Sequence, residues 1–340
     1  MNTSNSLPPE VRQTTIGGQA LIEGLMMIGP EITAMTVRLP DGTLHREEQL
    51  SKKYGKLGEI PLLRGSVKLI GQLVVGMKAM LRSAELSEPD AEKSAASETP
   101  NNKEASIETK GAEEEKTEVV SVVDGKDQAE PAIGGAVIAF VLVLSLLLGI
   151  GLFIFLPNLL TTGLMKLTGM TRDHYGSALV LNLIEGLVRI IILIVYIWLT
   201  SRSKEIARTW QYHGAEHKTI ACYEHDMPLT VENVRRFSRF HPRCGTSFLF
   251  LVVFISALVF AVFGWHHPVI NLVIRLLMIP VVAGLAYELQ RFASKHLDHP
   301  IGRVIAAPGL WLQRLTTKEP DDEILEVSID AMIAVCNDCK

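Results

Sequence analysis

The sequence lacks charge over long stretches, which bears on the class of protein. The run Ile133–Leu156 contains no Asp, Glu, Lys or Arg. An apolar run of about 24 residues is long enough, at about 1.5 Å per residue, to cross the ~30 Å hydrocarbon core of a bilayer. Burial of such a helix in a soluble core is the alternative, and it leaves the absence of charge unexplained. The run therefore predicts a membrane protein.

An apolar core segment is also lacking in Met1–Gln19, which is polar, so we expect no cleavable signal peptide there. We therefore expect the N-terminus to stay in the cytoplasm. Three further apolar runs follow the first one, at Ala178–Leu199, Thr246–Phe263 and Val269–Leu289. The sequence thus predicts a mainly α membrane protein with about four transmembrane helices and a cytoplasmic α+β portion.

The distribution of positive charge predicts the orientation. The loop between the first and second spans carries only Lys166 and Arg172. The loop between the second and third spans is much richer in Lys and Arg, with Arg202, Lys204, Arg208, Lys218, Arg235, Arg236, Arg239 and Arg243. By the positive-inside rule, this second loop and both termini face the cytoplasm of a bacterial inner (plasma) membrane.

Cysteine is scarce, with four residues in the chain. A cytoplasmic location keeps thiols reduced, so metal binding or redox work is favoured over structural disulfides. Cys222 and Cys244 lie in the polar loop between the second and third spans. Cys336 and Cys339 form a CxxC pair outside any βαβ context, and we assign no function to it.

The segment 14–50 predicts a small β unit, since the turn residues Pro40-Asp41-Gly42 separate two strand-like pieces. The segment 61–82 spaces apolar residues at helical intervals and interleaves Lys and Arg, which fits a helix on the membrane surface or one packed on the cytoplasmic domain.

The sequence divides the chain into seven predicted units. These are 1–60, a cytoplasmic β-rich unit with a hairpin; 61–82, an amphipathic interfacial helix; 83–131, a disordered acidic linker; 132–200, transmembrane helices 1 and 2; 201–245, a cytoplasmic metal-binding segment; 246–290, transmembrane helices 3 and 4; and 291–340, a cytoplasmic C-terminal segment. Pro300 and Pro308 are expected to break the last unit into short pieces.

The linker is rich in Ala, Ser, Glu and Lys and nearly free of large apolar side chains, which predicts disorder. Residues 83–130 hold 14 acidic and 5 basic residues, and the rest of the chain is therefore mildly basic, at a net charge of +5. A mild positive charge suits a lipid bilayer with anionic headgroups and gives no specific indication of nucleic-acid binding.

Ionisable residues inside the spans are a second candidate for function, after the polar loop between the second and third spans. Glu185 and Arg189 are four residues apart and can pair on one helix face, and Arg275 lies in the last span. Such groups usually point into a helix bundle or a water-filled cavity. A structural ion pair and a substrate path both remain open, but the chain shows no internal repeat typical of transporters.

The segment Trp210–Ser247 has the highest density of metal-ligand side chains. His213, Glu216 and His217 form an H-x-x-E-H pattern, in which two His bind a metal and the Glu acts as general base. On a helix, side chains four residues apart project from one face. Glu224 is a further candidate, as a third ligand or as the partner that orients a His.

An H-x-x-C turn, His241 to Cys244, follows just before the third span. Imidazole and thiolate are ligands that suit Zn²⁺. His213, His217, His241 and Cys244 together would make a closed tetrahedral site, which is typical of structural zinc. Three ligands would leave the open position that catalysis needs, and the spacing alone leaves both arrangements open.

Seven stretches outside the linker carry a resemblance to a known family: GGQALIEGLMMIGP, PLLRG, YHGAEHKTIACYE, LTVENVR, HPRCGTSFL, PVVAGLAYE and PGLWLQRLTTKEPDDEILEV. By these stretches the chain resembles the YqhQ family, an uncharacterised group of bacterial multi-pass membrane proteins with plastid relatives that are described as predicted metal-dependent enzymes. The resemblance implies a metal site at His213, Glu216, His217, His241 and Cys244, and it implies no substrate.

These observations lead to two functional hypotheses. The first is a zinc-dependent membrane hydrolase at the cytoplasmic face, with Glu216 as the catalytic base and His213, His217, His241 and Cys244 at the metal. Its substrate would be another membrane protein or a lipid-linked molecule. The second is a non-enzymatic factor that assembles or regulates membrane proteins and holds a structural metal.

Overall fold

A computed structural model describes residues 14–52, 54–55, 58, 60–88, 118–120, 135–171, 174–263 and 268–336. Four of its helices are long and apolar enough to cross a membrane, as predicted. Their side chains are largely exposed in the isolated chain, because lipid rather than protein surrounds such helices. The spans are Val143–Thr168, Tyr175–Thr200, Gly245–Val262 and Val273–Lys295. The chain is therefore a multi-pass membrane protein.

The first span extends further than the apolar run that predicted it. Helix α2, Gly135–Ile150, passes through a π-helical turn, Gly151–Phe155, into α3, Leu156–Thr168. Pro157 follows the π-helical turn directly, and Gly169 ends the helix in the left-handed conformation.

An antiparallel sheet precedes the spans. Strands β1 (Gly17–Ala20), β2 (Gly24–Ile28), β3 (Ile32–Arg38) and β4 (Leu44–Leu50) pair in sequence order. The predicted hairpin is confirmed, since β3 and β4 pair from Ile32↔Leu50 to Arg38↔Leu44 around the Pro40-Asp41-Gly42 turn. A short strand, β5 (Glu118–Val120), pairs in parallel with β4.

This short strand falls within the predicted linker 83–131. Most of that linker, residues 89–117 and 121–131, lies outside the described residues. Its first residues are helical, since α1 runs over Leu63–Leu86 and ends four residues later than predicted. The reason is burial, because Ser83 and Leu86 pack against the sheet.

Helix α1 joins the sheet to the last span. At its start, Arg64 makes a two-pronged ion pair with Glu288, with Nε···Oε1 at 2.6 Å. Gly65 lies directly against Tyr287, where an added Cβ would come within 2.6 Å of the tyrosine Cβ. The middle of α1 exposes large apolar side chains such as Ile70 and Leu73. The packing of its two ends is observed, and contact of its middle with lipid stays a prediction.

A head made of β1–β4 and three helices lies at one end of the spans. The helices are α5 (Lys204–Glu224), which follows the second span α4 (Tyr175–Thr200), α6 (Val231–Arg235) and α10 (Asp322–Val335). The core of the head forms where α10 packs against β2, β3 and α5, around side chains such as Leu325, Met332 and Tyr212.

Helix α9 (Pro300–Thr316) lies between the head and the spans α7 (Gly245–Val262) and α8 (Pro268–Lys295). It continues through Pro308, so the predicted break at this residue was wrong. An internal proline removes one helical hydrogen bond, and the burial of Gly309, Leu312 and Gln313 against neighbouring helices outweighs that loss. The C-terminal end of α9 is thereby held close to the start of α7.

The ionisable residues in the spans form one cluster. Glu185 pairs with Arg189 on the same helix, and Arg275 Nη2 on α8 donates to Glu185 Oε1 at 2.9 Å. Arg189 Nε also donates to the carbonyl of Phe153 in the π-helical turn, at 3.1 Å. The cluster thus connects the first, second and fourth spans.

We expect Glu185→Ala to destabilise the protein by about 3–5 kcal/mol, because two guanidinium groups would lose their shared carboxylate in a low-dielectric region. Denaturant titration in mixed micelles, followed by circular dichroism, measures the change. Leu187→Ala is the matched control on the same helix, since Leu187 is 57 % exposed and its truncation should cost about 0.5 kcal/mol or less. Equal midpoints for Glu185→Ala and wild type would show that the cluster does not stabilise the bundle.

Candidate metal centre

Helix α5 brings the two histidines of the H-x-x-E-H pattern onto one face. His213 and His217 are one turn apart, and their ring centroids are separated by 4.5 Å. Both side chains are buried, with His217 only 1 % exposed. The helix follows from the sequence because the segment is free of proline and continues for 21 residues after the short turn that ends α4. The helical part of the prediction is therefore confirmed.

Cys244 reaches the histidines from the first turn of the third span. It is the N-cap residue of α7, where its Sγ accepts a hydrogen bond from Thr246 N. Gln313 on α9 fixes the preceding turn, because its side chain bonds both His241 N and His241 O at 2.8 Å. These two hydrogen bonds hold the turn in place, and Cys244 Sγ lies 3.1 Å from His213 Nε2.

The Nδ1 atoms of both imidazoles are hydrogen-bonded to main-chain carbonyls. His213 Nδ1 lies 2.7 Å from Thr316 O, and His217 Nδ1 lies 2.6 Å from Arg239 O. Since a carbonyl only accepts, each Nδ1 carries the proton in the neutral ring and each Nε2 keeps its lone pair. This is the arrangement in which a histidine binds a metal through Nε2.

His217 Nε2 is buried and has no hydrogen-bond partner among the described residues. Burying such a nitrogen without a partner is costly. Three residues each offer one ligand atom here, and these atoms lie within 4.8 Å of one another: His213, His217 and Cys244. Atoms bound to one tetrahedral zinc ion are roughly 3.5 Å apart, given bonds of about 2.0–2.3 Å. The three residues therefore fit a metal ion.

The electrostatics of the group agree with ligand chemistry. Burial alone would raise the pKa of Cys244, but the neighbouring His213 and His217 outweigh it and hold this pKa well below its ordinary value. Burial also opposes the charged form of His213, yet the Cys244 thiolate raises the pKa of His213 to about 9. The thiolate form of cysteine is the form that binds metals.

Glu216, the central residue of the pattern, lies next to the group. Gly18 N in β1 donates to Glu216 Oε1 at 3.0 Å. Burial raises the pKa of Glu216, while His213 and His217 oppose that shift. A raised carboxyl pKa is what a general base needs in order to exchange protons near neutral pH.

His241 lies beside the group of three ligands and makes other contacts. Its ring centroid is 5.5 Å from that of His217. Its Nε2 is 3.6 Å from Glu224 Oε2, and Arg243 pairs with the same glutamate. Glu224 Oε1 also accepts from Thr14 N at 2.7 Å. The role of His241 as a metal ligand therefore stays a prediction, and Glu224 binds two other segments, the one at Thr14 and the turn of His241 and Arg243.

The remaining candidates of the segment lie elsewhere. Cys222 is buried in the core of the head, and burial raises its pKa to about 11. His225 packs against Phe237 and bonds Ala221 O. Cys336, at the end of α10, is buried and disulfide-bonded, so the expectation of reduced thiols rather than disulfides is wrong at this residue. Cys339 lies outside the described residues.

The opposite pKa shifts of the two free cysteines give a test at neutral pH. In chelator-treated protein, we expect iodoacetamide to modify Cys244 at pH 7 and Cys222 only at alkaline pH, because a thiol with a pKa of about 11 is only about 10⁻⁴ ionised at pH 7. Cys244 reacts at the lower pH because its lowered pKa keeps it a thiolate, the form that iodoacetamide modifies, at neutral pH. Peptide mapping after alkylation separates the two sites.

Zinc added before the reagent should protect Cys244. Labelling of Cys222 and Cys244 at the same rate across pH 6 to 10 would contradict the electrostatic description of the site.

The residues that sequence reasoning missed act through their main chain or from distant segments. Thr316 and Arg239 supply carbonyl groups, for which side-chain identity gives no signal. Gln313 and Gly18 are ordinary residue types, 72 and 198 positions away from the residues they bond.

Comparison with known proteins assigns the chain to a family. A family described as "Protein of unknown function (DUF1385)" matches residues 60–338, which include all the metal-centre residues of α5 and α7. The chain belongs to this family. A curated relative, "Uncharacterized protein YqhQ" of Bacillus subtilis (strain 168), is 33 % identical over 319 residues, covering 93 % of the chain and 90 % of the relative. No solved structure matches the chain. The membership confirms the resemblance inferred from the sequence motifs.

Proposed function

We propose that the protein is a zinc-dependent hydrolase acting at the cytoplasmic face of the plasma membrane. The observation that carries this proposal is the buried Nε2 of His217, which has no hydrogen-bond partner in the described part of the chain, beside His213 Nε2 and the Cys244 thiolate. With these three donors bound to a metal, a fourth position would remain for water or substrate. Three protein ligands with one open position are typical of catalytic zinc.

The donor set favours zinc over the hard divalent ions. Calcium and magnesium prefer oxygen ligands, whereas imidazole nitrogen and thiolate suit zinc. Zinc, when bound, supplies a Lewis acid that polarises a carbonyl and lowers the pKa of bound water to about 7. His213 and His217 would bind through Nε2, and Cys244 through Sγ.

Glu216 is the proposed general base. Its Oε1 is held by Gly18 N, and no described donor bonds its Oε2. Oε2 accepts a proton from the attacking water as the water oxygen bonds to the substrate carbonyl carbon. The proton then passes to the leaving group as its bond to that carbon breaks. Proton transfer by one positioned carboxylate is typically worth about 10²–10⁴ in rate.

The location of the centre points to a membrane-bound substrate. Cys244 immediately precedes the third span, Gly245–Val262, so the ligands lie where the chain enters the apolar layer. A bond hydrolysed there belongs to a membrane protein or to a lipid-linked molecule close to its anchor. The excess of Lys and Arg between the second and third spans supports a cytoplasmic location for this end of the bundle.

A non-enzymatic role with a structural metal is the second candidate, and the position of His241 favours it. Its ring is close enough to His217 that a rearranged turn would supply a fourth ligand and close the site. The contacts of His241 with Glu224 and Arg243 favour the open arrangement instead. Metal analysis together with Glu216→Gln separates the two candidates, because only a hydrolase loses function while it keeps its metal.

A further inference from the structure

The N-terminal segment Thr14–Glu23, which we name the strap, runs along α5 and contacts it at four positions. Glu23 accepts hydrogen bonds from Arg208 Nε at 2.5 Å and from Tyr212 Oη at 3.3 Å. The middle of the strap reaches Glu216 and its first residue reaches Glu224. The four positions on α5, namely Arg208, Tyr212, Glu216 and Glu224, are spaced by multiples of four residues. Each step of four residues turns the side chain by about 40° around the helix, so Arg208 and Glu224 lie about 160° apart and the strap winds partly around α5.

The strap is thus hydrogen-bonded to α5 both before and after Glu216 along the helix. The Glu23 contacts lie one and two turns before it, and the Glu224 contact lies two turns after it. Glu23 also adopts a left-handed backbone, with φ at 48°, an uncommon conformation for a residue with a side chain. Such a conformation persists only where surrounding contacts hold it, here those of the Glu23 carboxylate.

We propose that Gly18 is a positioning residue for the reaction, since its main-chain N–H fixes one oxygen of the Glu216 carboxylate and leaves the other oxygen for proton transfer. The inference rests on the proposed function of Glu216. It makes β1 part of the reaction centre, although β1 lies almost 200 positions before the metal ligands.

The geometry requires glycine at this position. A Cβ on residue 18 would come within 2.9 Å of Glu216 Cδ, 3.0 Å of Glu216 Cγ and 2.8 Å of Met26 O. Heavy-atom contacts of this length force a neighbour to move, and the carboxylate is the side-chain neighbour. Gly17 offers a matched control, because a Cβ on it meets no atom within 4 Å.

A single hydrogen bond is enough to orient a general base. A free glutamate side chain rotates among several conformers, and a misplacement of about 1 Å can cost about 100-fold in rate. A main-chain donor in a paired strand is a rigid partner, because β1 is held to β2 from Gly17↔Ile28 to Ala20↔Leu25. The strand thereby restricts the carboxylate to one position beside His213 and His217.

The test uses full-length protein in nanodiscs, with zinc replaced by cobalt, and measures visible d–d absorption and cobalt stoichiometry. Glu216→Gln is expected to shift the d–d bands, because the carboxylate no longer bonds the solvent ligand of the metal. Gly18→Ala should keep about one cobalt per chain and shift the bands in the same direction. Gly17→Ala should reproduce the wild-type spectrum.

Two outcomes would overturn the positioning role of Gly18. Only the second of them would also overturn the proposed general base, Glu216. A shift for Glu216→Gln with a wild-type spectrum for Gly18→Ala removes the positioning role alone. A wild-type spectrum for Glu216→Gln removes the proposed base and with it the positioning role.

A double variant keeps the test decisive if Gly18→Ala does not fold. In Gly18→Ala/Glu216→Ala, two of the three close contacts are gone, so folding and cobalt binding should return. Failure of the double variant to recover would show that the sheet, rather than Glu216, requires glycine at position 18, and the inference would be overturned.

Discussion

Cys244→Ala is expected to lower the zinc content of the purified protein from about one ion per chain to below about 0.2. The thiolate is the charged member of the three donors, and its loss leaves two neutral imidazoles that cannot hold zinc through purification. The loss of affinity should exceed the roughly 10–100-fold that removal of an outer-shell partner costs. Elemental analysis by mass spectrometry measures the content directly.

Cys222→Ala is the matched control for this substitution. Cys222 is a buried cysteine of the same segment, yet it packs in the core of the head, away from the histidines. It should keep the wild-type zinc content. His217→Ala beside His225→Ala forms a second pair on the same helix. Zinc that remains at the wild-type level in both Cys244→Ala and His217→Ala would rule out the centre.

Glu216→Gln is expected to lower the rate of hydrolysis by at least about 100-fold while the zinc content stays unchanged. The amide is nearly the same shape as the carboxylate and its oxygen can still accept from Gly18 N, but it cannot take a proton from water. Because the metal ligands are untouched, the variant should accumulate uncleaved substrate. Membranes from cells that make the wild type or the variant can be compared for new protein termini and for lipid-linked species.

Glu232→Gln, at an exposed position on α6, is the control for loss of one negative charge. It should behave as wild type. Full complementation of a deletion strain by Glu216→Gln, with zinc retained, would contradict the hydrolase and support the structural metal site.

The sequence predicted those features that depend on local pattern. The spans could be predicted because apolar runs of this length with few or no charges are rare outside membrane-spanning helices. The β3–β4 hairpin could be predicted because Pro40-Asp41-Gly42 is a strong turn signal. His213 and His217 could be placed together because four residues make about one helical turn. Cys244 joined them only through its H-x-x-C spacing and its ligand chemistry.

Features that depend on distant contacts could not be predicted. Helix α9 continues through Pro308 because neighbouring helices bury its far side, and α1 extends to Leu86 because the sheet covers that end. Within the site, Thr316 O and Arg239 O orient the imidazoles through the main chain. His241 looked equivalent to the other ligands by spacing, but its environment, with Glu224 and Arg243, is set by tertiary packing.

The central claim is that His213, His217 and Cys244 bind one zinc ion through two nitrogens and one sulfur. X-ray absorption fine structure of the purified protein at the zinc edge tests it most directly. We expect one sulfur neighbour at about 2.3 Å, two imidazole nitrogens at about 2.0–2.1 Å and one further light atom from water. In Cys244→Ala the sulfur signal should disappear. A zinc shell without sulfur, or with two sulfur atoms, would contradict a site built from these three residues.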